Sequence, residues 1–271
     1  MKVLVLGGTG EARALADALV EDGAVVVTSL AGRVSRPRLP VGQVRIGGFG
    51  GVDGLAAYLA ESGADAVVDA THPFAQRISA NAAVACPAAG VPLVRLERPG
   101  WAVRPEARTW HWAGDHGEAA GMAARLGERP FLTVGRQSLA HFVEPLRRHA
   151  CLVRVVDEPD IALPASWTLL RSRGPYTVGS EREVMAGADV LVTKDSGGDH
   201  TVAKLVIAAE RGMPVVVVRR AGPPAGVRIV GDVEAALAWI RALPARWHGR
   251  CWHGRCWHGR CWHGRCWHGR C

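Results

Sequence analysis

The chain contains 271 residues, 48% of them hydrophobic, and carries a formal net charge of +8. Five copies of Trp-His-Gly-Arg-Cys occupy 247–271; because they add five Arg and no acidic residue, the net charge of the remaining chain falls to +3. Outside the repeat, the sequence has no basic stripe with interleaved aromatics, and it has no apolar run near the roughly 18 residues of a membrane helix. Composition therefore excludes nucleic-acid and membrane partners and fits one large or two small α/β domains.

The number and spacing of the cysteines indicate the cellular compartment of the protein. Outside the repeat the cysteines are Cys86 and Cys151, which have no near partner in sequence. This usage is typical of a reduced compartment, and the opening core strand leaves no room for a signal peptide, so a cytoplasmic location is expected. The repeat is either a His/Cys metal-binding tract or a low-complexity extension. Its spacing matches no zinc motif, which favours a disordered extension and predicts no metal site.

The first predicted elements are a strand over Lys2–Leu6 and a helix over Glu11–Glu21, joined by a glycine-rich turn. This order is typical of a dinucleotide-binding fold, in which backbone N–H groups and the helix N-terminus approach a pyrophosphate. Gly8 and Gly10 fit the first two positions of G-x-G-x-x-G, whereas Arg13 stands at the third. The alternative is a tight βα turn that needs positive φ and binds no ligand.

The second predicted strand, Ala24–Leu30, ends in a segment that indicates which dinucleotide is bound. An NAD-binding fold usually places a carboxylate here, for the ribose 2′-hydroxyl, and this segment has none. Ser29 and Arg33 occupy the region instead, and a guanidinium can bind a 2′-phosphate through two hydrogen bonds. The segment therefore favours NADP(H), with a solvated loop cation as the alternative for Arg33.

Apolar runs and helical periodicity alternate along the rest of the chain. The alternation predicts an α/β fold of two Rossmann-like three-layer domains, with parallel sheets and a cleft between them. We place the NADP(H)-binding domain at 1–98 and the substrate-side domain at 99–246. The further predicted strands are Val44–Ile46, Ala66–Asp69, Val91–Leu96, Phe131–Val134, Leu152–Val156, Trp167–Leu170, Val190–Thr193 and Val215–Val218. The further predicted helices are Asp53–Ser62, Ala75–Ala89, Gly117–Leu126, Leu139–Arg148, Glu181–Ala186, Val202–Arg211 and Val233–Ala242.

The loop after the strand Ala66–Asp69 carries the first candidate for chemistry. Ligands in such sheets bind at the carboxyl ends of the strands, and Pro73 suits the first position of the following helix. His72 can donate a proton or orient a substrate carboxylate. The alternative is that His72 caps the helix and Asp69 anchors the loop through hydrogen bonds.

The loop Thr193–Gly198 resembles an anion-binding turn before a helix. Its Ser-Gly-Gly run can present backbone N–H groups, and Lys194 adds positive charge. Thr201 and Lys204 follow on one face of the next helix; the alternatives are a cap and a solvated lysine. Further polar residues end two other strands of this half, which predicts a basic cleft suited to a polycarboxylate. These residues are Arg136, Gln137, Arg173 and Tyr176.

Eight motifs in order, from about Lys2 to Pro224, resemble the precorrin-6x reductase family of cobalamin biosynthesis. The resemblance implies NADPH-dependent reduction of a double bond of the precorrin-6A macrocycle to give precorrin-6B, in a cleft between two α/β domains. It does not cover the Trp-His-Gly-Arg-Cys repeats. The motifs are Gly7–Arg13, Ser29–Arg33, Arg45–Gly51, Asp69–Ala75, Arg95–Pro99, Thr133–Gln137, Arg173–Tyr176 and Thr193–Gly198.

On this resemblance we assign site residues in two groups. The residues expected to bind the cofactor are Gly8, Thr9, Gly10, Glu11, Arg13, Ser29, Gly32, Arg33, Gly47, Gly48, Thr71 and His72. Those expected to face the tetrapyrrole are Arg136, Gln137, Tyr176, Lys194, Asp195, Ser196, Gly197, Thr201 and Lys204. The proton donor is His72, Tyr176 or water.

Several alternatives stay open from the sequence. One is a non-catalytic NADP(H)-sensing protein, and another is a sugar-nucleotide transferase, although the second half has no evident acidic or metal site for such a transferase. The substrate can be metal-free precorrin-6A or its cobalt complex. The oligomeric state is also open, with a monomer among the options.

Overall fold

The computed structural model describes residues 1–32, 39–198 and 201–244. Arg33 and the repeat 247–271 therefore lie outside the described residues, and the predictions made for them stay predictions. Every strand pairing is parallel. None of the helices in these ranges is both long and apolar enough to cross a membrane.

The strands form two sheets of six. The strands are β1 (Lys2–Leu6), β2 (Val25–Leu30), β3 (Gln43–Ile46), β4 (Ala66–Asp69), β5 (Leu93–Leu96), β6 (His111–Ala113), β7 (Pro130–Leu132), β8 (Leu152–Val155), β9 (Thr168–Arg171), β10 (Val190–Lys194), β11 (Val215–Val218) and β12 (Arg228–Val230). The first sheet has the order β12-β5-β4-β1-β2-β3, and the second has the order β6-β11-β10-β7-β8-β9.

Helices cover both faces of both sheets. The helices are α1 (Gly10–Glu21), α2 (Gly51–Ser62), α3 (Gln76–Ala88), α4 (His116–Leu126), α5 (Ala140–Val143), α6 (Val178–Val184), α7 (Ala203–Glu210) and α8 (Val233–Arg241). In the first sheet α1 and α8 pack on one face, and α2 and α3 on the other. In the second, α4 and α5 pack on one face, and α6 and α7 on the other. Strands buried on both faces explain the nearly unbroken apolar runs of β1, β4 and β11. The predicted α/β architecture of two three-layer units is confirmed.

Three elements differ from the sequence-based prediction. β6 and β12 were not predicted, because each spans only three residues and β12 contains the exposed Ile229. The helix predicted over Leu139–Arg148 is a single turn, α5. Pro145 has no N–H to donate and its ring hinders continuation, so the chain proceeds in turns.

The end of the described chain returns to the first sheet. β12 pairs with β5, with Ile229 opposite Arg95, and α8 buries Ala236 and Ile240 against the apolar stripe of α1. The division at residue 98 predicted from sequence assigned this stretch to the second unit, whereas its pairing joins it to the first. The free edge of β5 and the apolar face of α1 both need a cover, and this stretch provides it.

Candidate active site

The carboxyl edges of the two sheets face each other. The ammonium of Lys194, at the end of β10, lies 4.9 Å from the ring centre of Phe74, which follows β4. The Phe74 ring centre is 6.1 Å from that of His116, at the start of α4. Arg98, just after β5, donates to the carbonyl of Ser196 at 2.8 Å. These contacts bring the predicted loops of both halves to one cleft.

The turn between β1 and α1 has an open backbone. Gly8 has a φ of +116°, and a Cβ at this position would meet nothing within 4 Å. Thr9, in contrast, is engaged inside the protein: its Oγ1 accepts from the N–H of Ala12 at 3.1 Å and donates to the carbonyl of Ala70 at 2.8 Å. Thr9 thus caps α1 and joins this turn to the loop after β4. Gly8 and the start of α1 at Gly10 remain available to a ligand.

Glu11 lies in the first turn of α1 and pairs with Arg98 at 2.6 Å. Burial raises the pKa of this carboxyl, but a hydrogen bond from its own backbone N–H and the charge of Arg98 outweigh burial, so the net shift is downward. Glu11 is therefore ionised at neutral pH and holds Arg98 against the glycine turn. Arg13 is half-buried on the same helix.

The loop after β3 presents a second open glycine surface. A Cβ at Gly47 or Gly48 would meet nothing within 4 Å. Arg45 donates to the carbonyls of both glycines, at 2.7 and 2.8 Å, and its guanidinium lies 4.0 Å from the ring centre of Phe49. Arg45 therefore fixes this loop while leaving its outer surface open. The neighbouring end of β2 contains Ser29, which is buried, and Gly32, which has a φ of +71°.

His72 is held as a neutral hydrogen-bond donor. Its Nδ1 accepts from the N–H of Phe74 at 3.2 Å, which assigns the ring hydrogen to Nε2. Burial lowers the pKa of His72 to about 3, and the charges of Lys194 and Arg98 act in the same direction. Thr71 stabilises the same loop, because its N–H and Oγ1 both donate to Asp69 Oδ1, at 3.1 and 2.7 Å.

Five charged residues form a continuous chain across the junction of the sheets. Asp69 pairs with Arg95 at 2.5 Å, and Arg95 also pairs with Glu97. Glu97 pairs with Arg220 at 3.1 Å, and Arg220 pairs with Asp195 at 3.3 Å. We call these five residues the junction ion chain. Every charge in it has an opposite partner, so it fixes the relative position of the two carboxyl edges.

The loop after β10 is held mainly by contacts with the linker after β5. Asp195, predicted to face the substrate, accepts from the N–H of Trp101 at 2.7 Å in addition to its pairing with Arg220. A Cβ on Gly197 would lie 2.2 Å from the carbonyl oxygen of Pro99, so only glycine allows this approach. Asp195, Ser196 and Gly197 thus have packing roles in this structure. Thr201 donates to the carbonyl of Gly198 at 3.4 Å.

Lys194, which is half-buried, and Lys204, which is buried, are cations of another kind. Burial lowers the pKa of Lys194 to about 8 and that of Lys204 to about 7. Lys204 is 6% exposed, and its ammonium lies 5.4 Å from the ring centre of Trp101. Within the described ranges neither ammonium forms an ion pair with a carboxylate. The charges of both lysines act to lower the pKa of His72.

The other predicted substrate residues have protein partners. Arg136 pairs with Asp160 at 3.4 Å, and Gln137 and Arg173 also have contacts within the protein. The hydroxyl of Tyr176 donates to the carbonyl of Ser172 at 3.1 Å. These three residues and Tyr176 come from loops at the carboxyl edge of the second sheet, as expected.

Sequence reasoning missed several residues of this site, notably Arg98, Arg220 and His116. A signal was present for the arginines, since charged residues within two positions of the end of a buried strand often pair with or bind another group. His116 offered no such signal, because it follows the helix cap Asp115 like any solvated residue. Burial, together with the charge of Lys194, lowers the pKa of His116 to about 4, and its ring stacks on that of His141 at 5.6 Å.

Comparison with known proteins agrees with the geometry of two facing sheets. The family model described as "Precorrin-6x reductase CbiJ/CobK" matches residues 2–241. A precorrin-6A reductase of Rhodococcus erythropolis is 51% identical over 90% of this chain and 99% of its own. A cobalt-precorrin-6A reductase of Salmonella typhimurium is 31% identical over 90% of this chain and 96% of its own. A solved structure titled "CobK precorrin-6A reductase" superposes with a TM-score of 0.80 at 38% identity, covering 89% of this chain and 96% of that one.

Proposed function

The chain belongs to the precorrin-6x reductase family, and from this membership we propose that it reduces a double bond of precorrin-6A with NADPH, giving precorrin-6B. The family resemblance drawn from the eight motifs is thereby confirmed, and the protein is a reductase. The structural observation that best supports the proposed substrate is the pair of uncompensated ammonium groups, Lys194 and Lys204, at the cleft. A macrocycle with acetate and propionate side chains supplies the negative charge that this pair lacks.

The open backbone surfaces fit a dinucleotide. Gly8, Gly47 and Gly48 leave space where a side chain would otherwise stand, and Gly10 begins a helix whose N-terminal N–H groups favour phosphate. These residues would hold the cofactor at the end of the first sheet. The cofactor, when bound, supplies the hydride. Arg33 remains our candidate for the 2′-phosphate, on the sequence argument alone.

The residues of the chain then position and polarise the substrate. His72 stays neutral and offers Nε2–H as a hydrogen-bond donor at the cleft, so near neutral pH it orients a substrate group rather than supplying a proton from an imidazolium. Lys194, with a pKa of about 8, can both attract a carboxylate and donate a proton. The junction ion chain keeps the His72 loop and the Lys194 loop at a fixed separation.

The metal-free macrocycle is the favoured substrate over its cobalt complex. The relatives named precorrin-6A reductase are 51%, 47% and 38% identical to this chain in Rhodococcus, Mycobacterium and Rhodobacter. Those named cobalt-precorrin-6A reductase are 33% and 31% identical in Priestia and Salmonella. A non-catalytic NADP(H) sensor would have no need of the lysine pair, which argues against that alternative.

The test is NADPH oxidation by the purified protein with precorrin-6A, run beside the cobalt complex and beside NADH. Oxidation of NADPH with precorrin-6A, and formation of precorrin-6B by mass, is the expected result. Arg33→Ala should weaken NADPH binding far more than NADH binding, and Arg125→Ala, on the distant helix α4, is the matched control. Tight NADPH binding without turnover of either macrocycle would reject the proposal in favour of the sensor.

A further inference from the structure

The side chain of Arg98 contacts both halves of the protein. Its Nη1 pairs with Glu11, in the first turn of α1, at 2.6 Å, and its Nε donates to the carbonyl of Ser196 at 2.8 Å. The side chains of Arg98 and Glu11 are 20% and 30% exposed, so water screens their pairing only in part. One guanidinium therefore joins the glycine turn of the first sheet to the loop after β10.

The guanidinium of Arg98 packs closely against this loop. A Cβ on Gly198 would lie 2.8 Å from Arg98 Nε and 2.9 Å from Arg98 Cζ, and a Cβ on Gly197 would lie 3.3 Å from Arg98 Cγ. The carbonyl of Arg98 accepts from Arg220 at 2.9 Å, which holds the backbone of the arginine as well. A displacement of the Arg98 side chain would therefore disturb the loop after β10.

Glu11 carries a negative charge beside the proposed cofactor turn. Burial raises the pKa of its carboxyl, but a hydrogen bond from its own backbone N–H and the charge of Arg98 lower it overall, so the group is ionised at neutral pH. An acidic side chain in the first turn stabilises a free helix through the helix dipole, but it repels a phosphate at the same N-terminus. A pyrophosphate can bind well here only if a cation offsets this carboxylate.

Arg98 supplies that cation. Among the described residues, it is the only Lys or Arg that pairs with Glu11, and the two residues line one small cavity with Thr9, Thr71 and Pro73. A guanidinium has five N–H donors, and the contacts with Glu11 and Ser196 use Nη1 and Nε. Nη2 has no acceptor within the described part of the chain, so it can also donate to a phosphate oxygen.

We infer that Arg98 is a positioning residue with two roles: it enables the glycine turn to accept the cofactor pyrophosphate, and it holds the loop after β10 at the cleft. The inference rests on the proposed function for the cofactor. Paired with Glu11, the guanidinium offsets the charge that would repel the phosphates. Through Ser196, the same guanidinium fixes the loop that follows Lys194.

The first experiment measures NADPH binding in the absence of the macrocycle, from the change in NADPH fluorescence. Arg98→Met leaves Glu11 unpaired, so NADPH affinity should fall about 10-fold, as expected for repulsion between two partly exposed negative charges, and less at higher ionic strength. Glu11→Gln removes the charge that Arg98 offsets, so affinity should stay equal or rise. The double variant should recover most of the affinity that Arg98→Met loses.

The double variant distinguishes a charge effect from a purely structural ion pair. If the pair only held the fold, both single substitutions would break the same contact and weaken NADPH binding equally. That result, or a double variant no better than Arg98→Met, overturns the inference. Arg104→Met is the matched control and should leave NADPH affinity unchanged, because Arg104 lies in the same linker and pairs with Glu106 at 3.2 Å.

NADH provides a second comparison. NADH and NADPH share the pyrophosphate, so Arg98→Met should weaken the binding of both by the same factor, whereas Arg33→Ala should weaken NADPH binding far more than NADH binding. A loss confined to NADPH overturns the inference, because Arg98 then acts on the 2′-phosphate. If the unmodified protein binds neither dinucleotide, the proposed cofactor is rejected and the inference with it.

The second experiment tests the contact with the loop and uses precorrin-6A. Arg98→Lys keeps a positive charge beside Glu11 but lacks the planar fork that reaches Glu11 and Ser196 together. NADPH affinity should therefore stay close to that of the unmodified protein, whereas KM for precorrin-6A should rise about 10-fold, as for loss of one hydrogen bond from a charged donor. An unchanged KM overturns the second role. Absence of reduction by the unmodified protein, with NADPH affinities following the expected pattern, rejects the proposed substrate and not the role of Arg98.

Discussion

The junction ion chain and the lysine pair, Lys194 and Lys204, both lie where the two sheets meet, but their charges are compensated differently. In the junction ion chain Arg95 pairs with Asp69 at 2.5 Å, and Arg220 pairs with Glu97 and Asp195 at 3.1 and 3.3 Å. The lysines contact aromatic rings, and burial lowers the pKa of both. The ion-paired residues stabilise the fold, whereas the two lysines, which have no carboxylate partner among the described residues, can bind a negatively charged ligand.

This difference explains why two neighbouring residues, Lys194 and Asp195, have different roles. A buried charge without a partner is unfavourable for folding, so it persists where binding or catalysis requires it. A buried pair is favourable only while both partners are present. Substitutions in the two sets should therefore change stability in opposite directions, and the following experiments test that expectation.

The largest effect is expected for Arg95→Met. This substitution leaves the buried Asp69 without its ion-pair partner and removes one of the two partners of Glu97, and breaking a buried pair typically destabilises a protein by about 3–5 kcal/mol. The Arg95 side chain is 3% exposed, so water cannot replace it. The measurement is the free energy of unfolding in urea. If the free energy of unfolding falls by less than about 1 kcal/mol, as it does for exposed pairs, the junction ion chain does not have a structural role.

A smaller effect of another kind is expected for Lys194→Met. The kcat/KM for precorrin-6A should fall about 10- to 100-fold, as for loss of a charge-assisted hydrogen bond, while the free energy of unfolding stays equal or rises. Lys2→Met is the matched control and should leave kcat/KM unchanged. If the Lys194 variant instead unfolds as easily as the Arg95 variant, the distinction between the two sets of charges fails.

The pH dependence of stability gives a third test. The folded-state pKa values of about 8 and about 7 lie below the ordinary lysine value, so between these pH values and about 10 the unfolded chain binds more protons. Stability must therefore rise with pH in this window. Between pH 7 and pH 8, the free energy of unfolding of the unmodified protein should rise by about 1 kcal/mol more than that of the Lys194→Met, Lys204→Met double variant. If the free energy of unfolding changes with pH in the same way in both proteins, burial does not destabilise the charged form of either lysine.

The smallest effect is expected for Arg147→Met. Arg147 pairs with Glu144 at 3.4 Å, but the two side chains are 61% and 81% exposed. Exposed pairs of this kind contribute roughly 0–1 kcal/mol, so unfolding in urea should change by less than about 0.5 kcal/mol. A loss comparable to that of Arg95→Met would mean that pairing alone, and not burial, determines the effect.

Most of the fold follows from local patterns in the sequence. Apolar runs such as Val215–Val218 predict buried parallel strands, and the helices with a clear apolar stripe lie within a few residues of their predicted bounds. β12 could not be predicted, because Arg228-Ile-Val resembles a loop until the free edge of β5 is known. α5 is a single turn because of Pro145. The apolar periodicity of the neighbouring residues predicted a longer helix despite this proline.

For the candidate site, sequence predicted the loops but not their partners. Gly8, His72, Lys194 and Lys204 end strands or begin helices, and the carboxyl ends of parallel strands share one edge, so their convergence was predictable. The role of Asp195 could not be predicted, because its partner Arg220 follows a different strand. Assignments of Asp195 and Thr9 to ligands remain proposals, and both side chains already have internal partners. Pairings between strands depend on sheet order, which local patterns do not encode.

The return of β12 and α8 to the first sheet also has a consequence during synthesis on the ribosome. The second sheet is complete once Val218 has emerged, although its first strand begins more than a hundred residues after β1. The first sheet, which starts at Lys2, must wait for Val230, with the edge of β5 unpaired and the stripe of α1 uncovered until then. The sheet that begins later in the chain therefore has all its strands first, and the nascent chain carries an unpaired strand edge while residues 97–230 are synthesised.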